Sequence, residues 1–473
     1  MKKNSTKRSL LASVLALVMC VSMLVGTTFA WFTDTASTGV NKIQAGTLKV
    51  QLLAEDGRTS LEGQTLSWKK AAGHENEAVL WEPGCTYELQ PIVIKNAGNL
   101  ALKYKIVISG IQGDAELNNA IEWTITNTSA TTALDEDHPL AAGASDTLTI
   151  SGHMKESAGN EYQGKSIDGI GITVVATQDT VEYDSNGNTY DERAEYPVLA
   201  SSVSDFRDAL SQGNSTIILA SDVTVEDGIQ MSVTKDTAVD FNGNTLTGAV
   251  ESGSISSSDG PTNLVLSDPN NSGEYSIDGE IVRHEGGGYT QLAAVTVWKP
   301  TVTIESGKYT HNNAVILCQL QTQDPDAVGV VVNGGTFDGK GAASVIANIF
   351  GNVIVNDGEF NAHYDGDSSG ECVYVSSGNS HVPSITTING GTFNADKRVF
   401  YVSVNTSYTQ KIVVNGGTFN VAEGGSLIKV SSGNARDYLT ITGGTFNVDP
   451  SAYVDTANYN VTHSGSTWTV TAK

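Results

Sequence analysis

Apolar and polar residues alternate over short runs along most of this chain, and the 3.6-residue periodicity of long helices is nearly absent. In the N-terminal two-fifths, Leu48-Lys49-Val50-Gln51-Leu52 reads as a strand with one buried face, and Lys103-Tyr104-Lys105-Ile106-Val107-Ile108 as a second β-rich run. Pro83-Gly84 and Asn96-Ala97-Gly98-Asn99 fall between such runs as turns. A short helix is expected around Ala115 to Trp123, with Leu117, Ile121 and Trp123 facing inward. The pattern predicts a β-sandwich over residues 31–196.

Beyond residue 200 the pattern changes. Val203-Ser204-Asp205-Phe206-Arg207-Asp208-Ala209-Leu210 has a serine cap and apolar residues at helical spacing, so a short helix should open a second unit, residues 200–473, and plug its end. A repeat follows: Ile304-Glu305-Ser306-Gly307-Lys308-Tyr309, Val332-Asn333-Gly334-Gly335-Thr336-Phe337, Val355-Asn356-Asp357-Gly358-Glu359-Phe360, Ile388-Asn389-Gly390-Gly391-Thr392-Phe393, Val414-Asn415-Gly416-Gly417-Thr418-Phe419 and Ile441-Thr442-Gly443-Gly444-Thr445-Phe446. Its aromatic recurs after 28, 23, 33, 26 and 27 residues. Strand, glycine corner and second strand at that period make one coil of a parallel β-helix. Most coils carry a further strand, such as Cys372-Val373-Tyr374-Val375 and Val399-Phe400-Tyr401-Val402. Glycine tolerates positive φ at the corner, the aromatic fills the inside of the bend, and the Asn or Thr before it reaches the next coil at about 4.8 Å. Roughly nine or ten coils, about 45 Å of stack, are expected. A leucine-rich horseshoe lacks its leucine spacing here, and a propeller blade needs nearly twice the period.

Composition agrees with an all-β chain: 49 glycines and 7% aromatic residues suit short strands and many turns. The first 30 residues are different. Lys2, Lys3, Lys7 and Arg8 precede an apolar stretch from Leu10 to Val25 and then Gly26-Thr27-Thr28-Phe29-Ala30, the order of a signal peptide, too short and too interrupted by Ser13 and Ser22 for a span. The formal charge of −25 becomes −29 once those four basic residues are removed. A surface so negative repels phosphate backbones and anionic lipid, so neither nucleic acid nor a membrane, after signal removal, is an expected partner. Cys85, Cys318 and Cys372 remain in the mature chain. The repeat places Cys318 and Cys372 two coils apart, too far for a disulfide.

Thr28-Phe29-Ala30-Trp31-Phe32-Thr33-Asp34-Thr35, then Asn41, Ile43, Ala45-Gly46 and Leu48, resembles the start of TasA/camelysin exoproteins, whose leader a SipW-type peptidase removes. The resemblance continues in Glu82-Pro83-Gly84, Ile94-Lys95-Asn96-Ala97-Gly98-Asn99-Leu100, Gly159-Asn160-Glu161-Tyr162-Gln163-Gly164 and Ala176-Thr177-Gln178. It implies cleavage between Ala30 and Trp31, a jelly-roll-like sandwich, and assembly into matrix fibres in which one subunit's N-terminal segment completes a neighbour's sheet. The repeats resemble the pectate-lyase-like right-handed β-helix superfamily, which implies a right-handed, single-stranded solenoid but not a function.

Candidate chemistry is sparse. His-Glu-x-x-His is absent: His74-Glu75 and His284-Glu285 each lack the second histidine, and His138, His153 and His311 read as solvent-facing or turn residues. Asp324, Asp326, Asp365, Asp367 and Glu371 are clustered acids that read as solvated turns, and no carboxylate pair recurs at one coil position. Two loops are candidate calcium sites. Asp365, Asp367 and Ser369 copy the first half of a calcium loop, with Ser376 at its twelfth position. Asp184, Asn186, Asn188 and Glu195 supply a twelfth-position acid but place Thr189 where glycine belongs. Hydrogen-bonded turns are the better explanation of both loops. Tyr374, Tyr401 and Tyr408 are candidates for stacking on a glycan. The function expected is that of a secreted, non-catalytic surface or matrix protein without a cofactor. A glycan-binding adhesin is the alternative, and a polysaccharide lyase or hydrolase comes after it.

Overall fold

The computed structural model describes residues 48–473 except 62–63, 65, 67, 76, 78, 128–129, 180–194, 213–215, 225–229, 234–235, 248, 253–262, 269–273, 278–281, 284–288, 291–292, 300, 312–313, 340–343, 365–369 and 377–381. They form two compact units, 48–197 and 198–473, and nearly all of the ordered structure is β.

The first unit is sandwich-like. One antiparallel sheet runs Val50–Ala54, Ile92–Asn96, Ser145–Met154, Ile121–Thr126, Thr131–Ala133, with Thr86–Glu88 also on Ser145–Met154; the other runs His138–Leu140, Leu102–Gly113, Ile167–Gln178. Alternation sets the core. Leu148 and Ile150 of one sheet and Leu102, Tyr104 and Ile106 of the other are buried together, while the residues between them face outward. The helix expected to reach Trp123 stops at Asn118. Ile121 and Trp123 lie instead on a strand rich in β-branched residues, where long-range pairing with Ser145–Met154 outweighs a few residues of helical spacing. Trp123 sits opposite Gly152, and the missing Cβ leaves room for the Trp81 ring.

Two histidines correct the sequence reading. His138 is buried and stacks on Tyr104 at 5.1 Å, and His311 is buried at the end of Lys308–His311. Each ends up inside because its strand's alternation turns it inward. His153, also on a strand, is half-buried beside Thr86 Oγ1 at 2.9 Å.

The second unit opens with the helix Val203–Gln212, whose Phe206, Ala209 and Leu210 are buried in the solenoid core; Ser202 Oγ accepts from Asp205 N at 3.1 Å. A parallel β-solenoid of about six turns follows. Its first face comprises Val302–Ile304, Val328–Val332, the second half of Ser344–Val355, Ser384–Ile388, Gln410–Val414 and Leu439–Ile441. The second comprises Lys308–His311, Thr336–Gly339, Glu359–Ala362, Thr392–Ala395, Thr418–Val421 and Gly444–Phe446. The third comprises Val295–Val297, Ile316–Gln319, the first half of Ser344–Val355, Glu371–Val375, Arg398–Val402 and Ser426–Val430. Upstream, the first face continues in parallel register through Leu264–Ser267, Thr237–Asp240, Thr216–Leu219 and Val198–Ala200, strands of three or four residues, and Tyr275 on the second face pairs with Tyr309.

Two ladders run up the second face and its corner. Tyr309, Phe337, Phe360, Phe393, Phe419 and Phe446 are all buried, with successive ring centroids 5.1, 4.8, 4.6, 5.1 and 4.8 Å apart. Outside them, Nδ2 of Asn356, Asn389 and Asn415 each donates to the Oδ1 of the preceding Asn, at 2.8, 2.8 and 2.9 Å, and Thr442 Oγ1 donates to Asn415 Oδ1 at 2.9 Å. The paired corner glycines have separate causes. Gly391 has φ 92°, and a Cβ on Gly390 would overlap the Asn356 carbonyl of the coil before. Cys85, Cys318 and Cys372 are free thiols, the last two buried two coils apart.

Candidate functional site

Polar chemistry gathers at the corner between the second and third faces. This corner lies after the strands Glu359–Ala362, Thr392–Ala395 and Thr418–Val421 of three successive coils, with residues 363–364, 396–397 and 422–425. A shallow groove of about 270 Å³ crosses these coils, lined by Asn361, Asn394 and Asn420 together with His363 and Asp396. Asn420 Nδ2 donates to Asn394 Oδ1 and Asn394 Nδ2 to Asn361 Oδ1, both at 2.8 Å. Asn361 Nδ2 and Asn394 Nδ2 also donate to Glu359 Oε1, at 3.3 and 3.5 Å, which ties the ladder to the start of Glu359–Ala362. His363 spans three coils: its Nε2 is 3.0 Å from Asp338 Oδ1 and its Nδ1 3.6 Å from Asp396 Oδ2. Beside it, Asp396 Oδ2 accepts from Tyr364 N at 3.1 Å, and Lys397 Nζ lies 3.7 Å from the centroid of the exposed Tyr364 ring.

Around the corner, strand register stacks Ser344, Glu371, Arg398 and Ser426 in one column and Ala347, Tyr374, Tyr401 and Lys429 in another. The Tyr374 and Tyr401 rings are 5.6 Å apart and tilted by 54°. Arg398 and Lys429 approach the Tyr401 ring at 5.3 and 5.8 Å. Glu371 was expected to be a solvated turn residue. It starts a strand and is 1% exposed. Burial pushes its carboxyl up to about 7, against the opposing influence of the Ser344 hydroxyl, 3.1 Å from Oε1, and of Arg398, Lys397 and Lys429. Its Oε2 has no hydrogen-bond partner among the described residues.

The other sequence candidates fare differently. Tyr374 and Tyr401 come together, whereas Tyr408 stands on the turn after Arg398–Val402, outside their column. Ala30 and Trp31, Asp184, Asn186 and Asn188, and Asp365, Asp367 and Ser369 lie outside the described residues; Glu195 is exposed. Asp324 and Asp326 form a self-bonded turn, Asp324 Oδ1 accepting from Asp326 N at 3.0 Å. Among the described residues no group of three or more His, Cys, Asp or Glu side chains could hold a metal ion, and no helix is long and apolar enough to cross a membrane. The His363 bridge, buried Glu371 and Arg398 escaped sequence reasoning. Aligning the coils by column, with Asp338 over Asn361 and Glu371 over Arg398, is the signal that would have found them.

Comparison of the chain with protein-family models, with curated proteins and with solved structures gives no match.

Proposed function

We propose that this is a secreted surface or extracellular-matrix protein without catalytic activity, in which the sandwich assembles or docks and the solenoid serves as a stalk or binding face. The observation behind this reading is the pair of ladders. Phe and Asn side chains of successive coils are committed to one another, so the repeat's most regular chemistry goes into continuity along the stack. The leader-like order of residues 1–30 and the TasA/camelysin-like segments between Trp31 and Gln178 support export and assembly. The reading includes no cofactor, nucleic acid or membrane partner.

The test is electron microscopy of the chain beginning at Trp31 and of one beginning after Leu48. Fibres from the first and none from the second are expected. Monodisperse particles from both would overturn the assembly reading.

A second reading, glycan adhesion, is favoured by Tyr374 and Tyr401 lying side by side under Arg398 and Lys429 on consecutive coils. A glycan array that binds the parent chain but not Tyr401→Ala supports it. An array with no hits removes it.

A further inference from the structure

We propose that two copies of this chain pair tail to tail through the open edge of the strand Tyr459–Ser464. The inference goes beyond the assembly reading above and does not use the sandwich.

After the last coil the chain makes a hairpin, Tyr459–Ser464 and Thr467–Ala472, around Gly465-Ser466, where Gly465 has φ 63°. A positive φ at the first of two loop residues gives the tight turn that suits twisted strands. Thr467–Ala472 lies antiparallel against Gly444–Phe446, so it takes up the edge left by the last parallel strand of the second face. That edge is replaced by a new one. Among the described residues Tyr459–Ser464 pairs with Thr467–Ala472 and with no other strand.

Geometry decides which backbone groups the new edge offers. In a two-residue hairpin the pairs Ser464 with Thr467, Thr462 with Thr469 and Asn460 with Thr471 hold the inward hydrogen bonds. The N–H and C=O of Val461 and His463 therefore point to the open side. Edge strands are ordinarily blunted by charge, proline or a bulge. This one carries no acid, lysine, arginine or proline, and its pairing with Thr467–Ala472 runs without a register shift. Asn460, Thr462, His463 and Ser464 are exposed, and His463 stacks on Trp468 at 4.0 Å, which stiffens the hairpin.

The occupant that fits is a second copy. With a net charge of −25, two copies repel over most of their surface, and this strand is a place where they meet without opposing acids. Antiparallel self-pairing is isologous. It sets Thr462 opposite Thr462 of the second copy and Val461 opposite His463, so that each Val461–His463 pair exchanges two backbone hydrogen bonds and the contact closes on itself.

Disulfide trapping tests this register. Thr462→Cys in a Cys20→Ser, Cys85→Ser background places two thiols at directly opposed positions, close enough to bridge, while Cys318 and Cys372 stay buried. Under mild oxidation of the full chain, the covalent dimer should form at least roughly tenfold faster than with Thr456→Cys, an exposed position off the strand. Thr462→Lys should abolish concentration-dependent dimerisation in sedimentation while leaving the thermal melt in place. Equal trapping rates at 462 and 456, or association unchanged by Thr462→Lys, would overturn the proposal.

Discussion

In the sandwich, Tyr104 and Leu148 each occupy a place that occurs once, whereas in the solenoid Phe393 occupies a place filled the same way in the coils on either side. The first arrangement depends on antiparallel pairings between distant segments, such as Leu102 with Gln178. The second depends on contacts between neighbouring coils, and its stability sums over repeats and interfaces. A defect in the sandwich should cost that unit as a whole. A defect in the solenoid should be felt most by the coils beside it.

The largest effect expected is from Phe393→Ala, which empties a fully buried position between rings 4.6 and 5.1 Å away. It should cost about 3–5 kcal/mol and lower the solenoid's unfolding transition in calorimetry without moving the sandwich's. Leu148→Ala, at about 2–5 kcal/mol, should do the reverse. A single transition that both substitutions shift equally would break the comparison.

Next is the pH dependence of Glu371. Its carboxyl titrates at about 7 in the fold against an ordinary 4.5, so the fold binds this proton more tightly than the unfolded chain does. The resulting stability is fully present below pH 4.5 and is lost as pH rises through 7, a swing of about 3 kcal/mol. Glu371→Gln should remove that swing from denaturation midpoints measured between pH 4 and 8. A parent-minus-variant difference that stays flat over this range would contradict the burial argument.

The smallest effect separates two kinds of glycine. Gly143 in the sandwich has φ 74° and open space around its missing Cβ, so Gly143→Ala should cost only backbone strain, about 1 kcal/mol. Gly390→Ala drives a methyl into the backbone of the neighbouring coil and should cost more than about 1 kcal/mol. Equal melting shifts for the two would mean that the coils are not packed at this distance.

The same contrast explains what the sequence made legible. A coil states its rule six times, so Val-Asn-Gly-Gly-Thr-Phe announces strand, corner and inward aromatic, and the Asn and Phe ladders follow from it. The sandwich states each rule once. Helical spacing across Ala115–Trp123 was indistinguishable from a short helix followed by a strand until Trp123 met Gly152, 29 positions away in the chain. The corner site was hidden for a third reason. Glu371 is buried by what stacks around it, and nothing in the run Gly370-Glu371-Cys372 distinguishes a solvated acid from a buried one. Tyr374 and Tyr401 were legible as a pair because they share a coil position, while Tyr408 does not.

Hydrogen exchange under native conditions, followed coil by coil, tests most directly whether contacts between coils hold residues 302–446 together. Amides of Ser384–Ile388 and Gln410–Val414 should be among the slowest, protection should fall toward both ends of the stack, and Phe393→Ala should raise exchange most in the adjoining coils. Exchange in these strands as fast as in the turn at 404–408, or a Phe393→Ala effect spread evenly over both units, would contradict the account.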